Sequence, residues 1–382
     1  MSDTTSPTDH ERVHDTIVVG AGPAGLGIAS TLQRIGIRAT VVDRHGIGAS
    51  FRRWPEGMRL ITPSFTGNQF GAVDLNAITP DTSPALALVD EHPTGEAYAA
   101  YLEMVAELDD IDVRTGIEVT DVTTAADGHL AVHVLGQQPW LARTVVWAAG
   151  ELQYPTTSGF PGAEHARPTV TVERWDAQAG PRAVVIGGYE SGIDAAVNLI
   201  ERGREVTVID LDAPWDIVDA DPSRTLSPYT HGRLRAAYAT DRLTLIRDRI
   251  TAVTHEADTG RHVVHTAAGG PFVSDGPPLL ATGFDGSLEL VRDRFVFDET
   301  GRVVVTEQAD ASTVVPGLYL AGPMLAHREA IFCFVYKFRQ RFAVVAADIG
   351  ARLEVDTSPL KLLRDHGFYL DDLSCCDDAC VC

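Results

Sequence analysis

The chain has 382 residues, 45% of them apolar, and carries 53 Asp and Glu against 31 Lys and Arg, a formal net charge of −22. That length points to two or three domains with ample core, and that charge argues against binding nucleic acid or an anionic membrane through a broad surface. No apolar run is long enough to span a bilayer, and the polar opening MSDTTSPTDHERVHD is no secretory signal, which points to a cytoplasmic protein with reduced thiols.

Residues 1–14 read as a disordered leader. The stretch DTIVVGAGPAGLGIASTLQRIGIRATVVDR follows. A β-rich run, Thr16–Val19, meets Gly20, Gly22 and Gly25, then a helical pattern, then a second strand, Arg38–Val42, ending at Asp43. Gly20 permits the tight turn, Gly22 lets a pyrophosphate approach the backbone, and Gly25 lets helix and strand pack closely. The helix N-terminus offers free N–H groups to the phosphates, and Asp43 is placed to accept from two ribose hydroxyls.

A strand, TVVWAAGELQYP (144–155), ends in the small residues Ala149 and Gly150. The dinucleotide pattern then recurs in RAVVIGGYESGIDAAVNLIERGREVTVIDLD. Strand Ala183–Ile186 leads into a loop from Gly187 to Gly192, a helix to about Glu201, strand Glu205–Ile209 and Asp210. Tyr189 occupies the middle-glycine position, and Gly188 beside it is expected to permit the close approach instead. Asp210 and Asp212 stand where a 2′-phosphate would need a cation, favouring NADH over NADPH unless Arg202, Arg204 or a remote arginine folds over. Ser191 is one residue off the G-x-S-x-G nucleophile elbow and reads as part of the loop.

Two such units imply two dinucleotides, one held as cofactor and one exchanged as hydride donor. Flavin plus nicotinamide is the usual pairing; a two-lobed NAD dehydrogenase is the alternative. PPLLATGFDGS (277–287) repeats the strand-to-small-residue form around Gly283, and PGLYLAGPMLAHREAIFCFVYKFRQRF (316–342) reads as a strand, Gly322 and a long helix whose N-terminus would favour negative charge. Cys333 falls on an apolar face of that helix and reads as core.

With these motifs in this order, residues 15–350 resemble the two-dinucleotide-binding flavoproteins, the superfamily of thioredoxin reductases and flavin-containing monooxygenases. FRRWPEGMRLITPSF, EHPTGEAYAAYL, VVWAAGELQYP and IFCFVYKFRQRF resemble a bacterial, cation-efflux-associated monooxygenase-like group related to bacillithiol disulfide reductases. The resemblance implies an α/β fold of two Rossmann-like three-layer domains, the NAD(P)H domain (165–276) inserted in the FAD domain (15–164 and 277–368). It implies FAD on Gly20, Gly22, Gly25, Asp43, Trp54, Gly150 and Gly322. NADH or NADPH falls to Gly187, Gly188, Gly192 and Asp210, with Gly283 there or at the junction. Arg52 and Arg53 are candidates for the pyrophosphate or a substrate anion, and Trp54 for the flavin or the lining of a substrate pocket.

Thioredoxin reductases carry a C-x-x-C pair, and bacillithiol disulfide reductases a cysteine inside the first glycine loop. Here residues 1–332 contain no cysteine, and the loop position is Ala24. Flavin monooxygenases need none; they oxygenate soft nucleophiles, and their F-x-G-x-x-x-H fingerprint is approached by FPGAEH, where His165 comes one residue early. His165 reads equally as a surface histidine. His262 and His265 should point to opposite faces of a strand.

The last segment, 369–382, reads as a flexible tail with Cys375, Cys376, Cys380 and Cys382. Adjacent cysteines make a strained, easily reduced bridge, and reduced thiolates suit soft metals or metalloids. Fourteen residues would reach roughly 45 Å. Three readings follow: a monooxygenase-like oxidoreductase of a small soft substrate, a thiol-disulfide or metal reductase working through Cys375 and Cys376, or a redox or metal sensor. A tail that serves a partner copy would make the protein a homodimer.

Overall fold

The computed structural model describes residues 9, 10 and 12–374. These form two compact units: the first from residues up to Arg52, Pro63–Gln153 and those from Gly286 on, the second from Arg53–Thr62 and Tyr154–Asp285. The insert expected at 165–276 lies within the second unit, which is wider at both ends.

The first unit opens with β1 (Val13–Val19), α1 (Pro23–Gln33) and β2 (Thr40–Asp43). Short helices α2 (Ala49–Arg52) and α3 (Pro84–Leu88) and the longer α4 (Gly95–Leu108) lead to β3 (Asp112–Thr115), β4 (Val119–Thr124), β5 (Leu130–Val134) and β6 (Trp140–Trp147). Strands β3, β2, β1 and β6 pair in parallel in that order, and β5 and β4 extend the sheet antiparallel. The second half of central β1, Ile17–Val19, is apolar and buried, as a strand covered on both faces requires. Thr94 N-caps α4 by accepting from Ala97 N–H.

The second unit builds its sheet from β7 (Arg167–Pro168), β8 (Arg182–Ile186), β9 (Glu205–Asp210), β10 (Leu243–Arg247) and β14 (Leu279–Leu280), in the parallel order β10-β9-β8-β14-β7. Helices α5 (Glu190–Glu201) and α6 (Pro228–Tyr238) pack on it around Trp175, Ile193, Leu199 and Leu234. Strands β11 (Ile250–Glu256), β12 (Arg261–Thr266) and β13 (Phe272–Ser274) form a separate antiparallel sheet. The two strands that enter and leave this unit are zipped together, with Thr156 N–H donating to Gly283 O (3.0 Å) and Asp285 N–H to Tyr154 O (2.8 Å).

The chain re-enters the first unit through β15 (Val296–Phe297) and β16 (Val303–Val304), and β17 (Leu318–Leu320) pairs in parallel with β6. The long helix expected directly after Gly322 is not there. A small hairpin of β18 (Ala326–His327) and β19 (Ala330–Ile331) comes first, and helical structure starts at α7 (Val335–Phe338), continuing into α8 (Phe342–Arg352). Gly322 and Pro323 at the head of the segment suit a turn better than a first helical turn, and Arg328 takes a left-handed φ of 50° at the hairpin tip. Cys333 therefore precedes the helix and is half-buried, rather than lying on its core face. Helix α8 packs on α1, where Gly27 leaves room for the Phe342 ring; a Cβ there would stand 2.0 Å from it.

Candidate dinucleotide sites

In the first unit the parallel strands deliver three glycine turns to one edge of the sheet, the C-terminal edge where α/β sheets bind ligands. Gly20 takes φ +110°, and a Cβ on it would stand 2.4 Å from Ala148 O. A Cβ on Gly25 would stand 1.9 Å from Gly20 O, so this glycine fixes the approach of α1 to the loop. Gly22 is different: it N-caps α1 with an extended backbone (φ −90°, ψ −172°), and a Cβ would meet nothing within 4 Å. The ground before the helix is open there, as a pyrophosphate requires. Gly322 (φ +111°) closes against the same loop, its missing Cβ 3.2 Å from Ala24 Cβ, and Gly150 (φ +71°) accepts from Ser287 N–H at 3.0 Å.

Asp43 is more committed than its position in the sequence suggests. Its Oδ2 accepts from Ala21 N–H (3.0 Å), and its Oδ1 from His45 and Gly46 N–H (2.7 and 2.9 Å). A carboxylate offers about four acceptor sites. One therefore remains for a ribose, not the pair expected, because the short Asp side chain staples the glycine loop to the turn after β2. After Gly150 comes Glu151, half-buried, with no hydrogen-bond or ion partner among the described residues. Burial pushes its carboxyl up to about 6.

The second loop repeats this geometry. Gly187 takes φ +100° with its missing Cβ 2.3 Å from Ala281 O, and a Cβ on Gly192 would stand 2.0 Å from Gly187 O. Asp210 repeats the staple: Oδ2 accepts from Gly188 N–H (2.7 Å), Oδ1 from Asp212 and Ala213 N–H (2.8 and 3.1 Å). Gly283 (φ +88°) lies on the strand pair leaving the unit, with open space where its Cβ would be.

Two departures matter. Gly188 does not open the backbone to a ligand, as the sequence led us to expect; it is buried, and a Cβ on it would stand 2.4 Å from the Trp215 ring, which fills that space. Tyr189 stands in the middle position, its hydroxyl donating to Arg224 O at 2.7 Å. Burial first, then the negative charges of Asp210, Asp212, Asp219 and Glu190, raise its pKa. Arg202 and Arg204 do not fold over this rim. Arg202 pairs with Glu56 (3.0 Å) and donates to Asn198 O, and Arg204 donates to Asp176 O and Gly180 O. Arg247, beside Asp210 on β10, donates to Leu211 O.

Other expected site residues are placed as follows. Trp54 is half-buried in the segment 53–62, which belongs to the second unit, where Glu56 O accepts from Trp175 Nε1 (2.7 Å). Arg52 is taken up by Glu103 and Glu96 of α4 (2.8 and 3.4 Å), so it is not free for a pyrophosphate. His165 is exposed, as its surface reading has it, and heads a row: its ring lies 6.0 Å from His255, which lies 4.7 Å from buried His262. His265 instead meets Thr254 Oγ1 at 3.1 Å.

Cys375, Cys376, Cys380 and Cys382 lie outside the described residues, but their root is fixed. Leu370 N–H donates to Gln340 O (2.8 Å), Arg341 donates to Leu370 O (2.5 Å), and Leu373 is buried. The free reach expected from Tyr369 onward is therefore not available at Leu370–Leu373, which are held to the body. The anchoring Arg341 is itself held by buried Asp310 (2.7 and 3.0 Å), which also bonds His327 (2.6 Å), a network that no periodicity or motif announces.

No helix among the described residues is long and apolar enough to cross a membrane, and among them no group of three or more His, Cys, Asp or Glu is arranged to hold a metal ion.

Comparison with known proteins agrees with a doubled dinucleotide fold. The chain is 28% identical over 205 residues to an indole-3-pyruvate monooxygenase of Oryza sativa subsp. japonica, covering 52% of this chain and 48% of that protein. It is 25% identical over 204 residues to a ferredoxin–NADP reductase of Ignicoccus hospitalis, covering 52% and 56%. It thus spans about half the length of these curated relatives. Among solved structures, bacillithiol disulfide reductase of Staphylococcus aureus shares the fold at a TM-score of 0.71 with 18% identity, covering 89% of this chain and 99% of that one. A flavin-containing monooxygenase of Stenotrophomonas maltophilia does so at 0.70 with 19% identity, covering 89% and 98%. The open ground at Gly22 and the two stapled loops fit a pair of dinucleotide cofactors, FAD and NAD(P)H. The family model for pyridine nucleotide-disulphide oxidoreductases matches residues 17–322, and the chain belongs to that family.

Proposed function

We propose that this chain is an FAD-dependent oxidoreductase that takes hydride from NADH and carries out a monooxygenase-like oxidation of a small, soft substrate. FAD is assigned to the first unit and NADH to the second. When bound, the flavin supplies hydride acceptance and delivery of two electrons. The observation that carries the reading is the doubled loop, with each glycine turn stapled by its own aspartate and only the first left open.

Preference for NADH is supported by the rim of the second loop. Asp210, Asp212, Asp219 and Glu190 would repel a 2′-phosphate, and Arg202 and Arg204 are bonded elsewhere. Monooxygenase-type chemistry is supported by Ala24 and by the lack of any cysteine before Cys333, which leaves the body without the thiol pair a disulfide reductase uses. Glu151, its carboxyl pushed up to about 6 by burial beside Gly150, is the group in the first unit suited to hold and release a proton there. The tail thiols Cys375, Cys376, Cys380 and Cys382 would present a thiophilic substrate, metal or metalloid, in line with a cation-efflux-associated role in the cytoplasm.

A second reading, a reductase passing electrons to these thiols, is favoured by the anchoring of Leu370 and Leu373 just before them. An anaerobic titration of FAD-loaded protein with NADH separates the two. Two electrons per flavin, with or without residues after Ser374, and substrate-dependent oxygen uptake support the first. Four electrons, falling to two on truncation, would replace it with the second.

A further inference from the structure

The first loop is the measure for the second. Gly22 and Tyr189 hold equivalent places: each N-caps the helix that leaves its loop, with φ/ψ of −90°/−172° and −77°/−168°. At Gly22 the space a side chain would enter is empty. At Tyr189 a phenol starts into that space.

The phenol is tied down. Its hydroxyl donates to Arg224 O, on a loop spanning residues 217–227. That loop is closed on itself by Thr225 Oγ1 donating to Ile217 O (2.8 Å). Its far end is fastened by Glu190, whose carboxylate accepts from Ser227 N–H and from the hydroxyls of Ser227 and Thr230. Two consecutive residues, Tyr189 and Glu190, thus bind one loop to the start of α5. The Trp215 ring fills the space where a Gly188 Cβ would stand. A pyrophosphate seeking the free N–H groups of α5 meets the tyrosine first.

We propose that Tyr189 is a latch on the second loop: its ring covers the pyrophosphate ground in the resting protein, its bond to Arg224 O holds it there, and dinucleotide binding breaks that bond and turns the ring aside. The proposal rests on the second loop being the nicotinamide site. A closed latch lowers the fraction of protein able to bind, and the apparent Kd rises by that factor. One neutral hydrogen bond corresponds to about fivefold.

The test uses FAD-loaded protein and two readouts. NAD+ binding is followed by titration calorimetry, and anaerobic flavin reduction by NADH is followed by stopped-flow absorbance. Tyr189→Phe keeps the ring and loses the tie, so it should bind NAD+ about fivefold tighter, and half-maximal flavin reduction should need correspondingly less NADH. Tyr189→Gly, which restores the first loop's pattern, should bind at least as tightly as Tyr189→Phe. Equal or weaker NAD+ binding by Tyr189→Phe overturns the latch. Wild-type protein that neither binds NAD+ nor is reduced by NADH overturns the nicotinamide assignment itself, and the latch with it.

Discussion

Gly22→Ala and Gly25→Ala lie three residues apart and should fail in different ways. At Gly22 the backbone is extended and a Cβ meets nothing within 4 Å, so alanine fits without strain. Loss of a glycine N-cap costs a few tenths to about 1 kcal/mol, and the stiffer unfolded chain returns about 0.4–1 kcal/mol, so stability without cofactor stays level. The new methyl stands where the phosphates approach, and FAD affinity should fall roughly tenfold or more. At Gly25 the Cβ would lie 1.9 Å from Gly20 O and 3.1 Å from Gly20 C. These are backbone atoms, and Gly20 N–H is fixed to Val42 O at 2.8 Å, so the helix must retreat by about an ångström. Overpacking of this kind typically costs 1–3 kcal/mol, here at the upper end, against about 1 kcal/mol gained in helix propensity. A net loss of about 2 kcal/mol should lower the melting temperature of flavin-free protein by about 4–8 °C. Circular dichroism melts of stripped protein and FAD fluorescence titrations measure the two effects separately. The reasoning is refuted if Gly22→Ala keeps wild-type FAD affinity, or if it lowers the flavin-free melt as far as Gly25→Ala does.

The side chain of Asp212 is exposed and only its N–H belongs to the staple, so Asp212→Arg should raise the NADPH-to-NADH ratio of kcat/KM by roughly tenfold with the fold intact. His262 is held below its ordinary 6.5 by burial first and then by His255 and His165, so the unfolded chain takes the proton first. Stability present above pH 6.5 is therefore lost as pH falls below it, and a pH series of unfolding midpoints should show a shallower acid slope in His262→Phe. Asp310 has φ +52°, which asparagine tolerates, so Asp310→Asn tests charge and not backbone. It leaves the Arg341 guanidinium buried without its counter-charge, a loss of about 3–5 kcal/mol by denaturation, with faster limited proteolysis around Leu370 because Arg341 anchors that carbonyl.

The parts of the fold that the sequence made legible are those written in local pattern. Gly20, Gly25, Gly187 and Gly192 each stand where a side chain would strike backbone, so their spacing alone marks both turns. The parts it hid are those set by partners distant in the chain. Nothing near Gly188 announces that Trp215, 27 positions on, fills the space above it. The place of Asp43 at a strand end points to a ribose acceptor, but most of its acceptor capacity, like that of Asp210, goes to its own loop. The helix after Gly322 was placed too early because a turn and hairpin in an apolar stretch leave no periodicity to see. Asp310, Arg341 and His327 are separated by up to 31 positions and meet only in the folded core.

The two loops share the features that set their turns and differ in what faces a ligand. Both keep the left-handed first glycine, the packed last glycine and the aspartate staple; between these, the middle place changes from open Gly22 to tied Tyr189, and Trp215 fills the space over Gly188. A local rule broken inside a setting that is otherwise kept points to function more than to drift. The difference also matches the two tasks assigned here. A cofactor that stays bound gains from an open floor, since nothing need move for it to remain. A hydride donor must leave after each turnover, and a loop that closes on its own residue offers the departing dinucleotide a competitor for the same ground. On this logic Tyr189→Gly should exchange faster binding for slower release of NAD+, and product dissociation, not hydride transfer, is the step where the tyrosine would be felt.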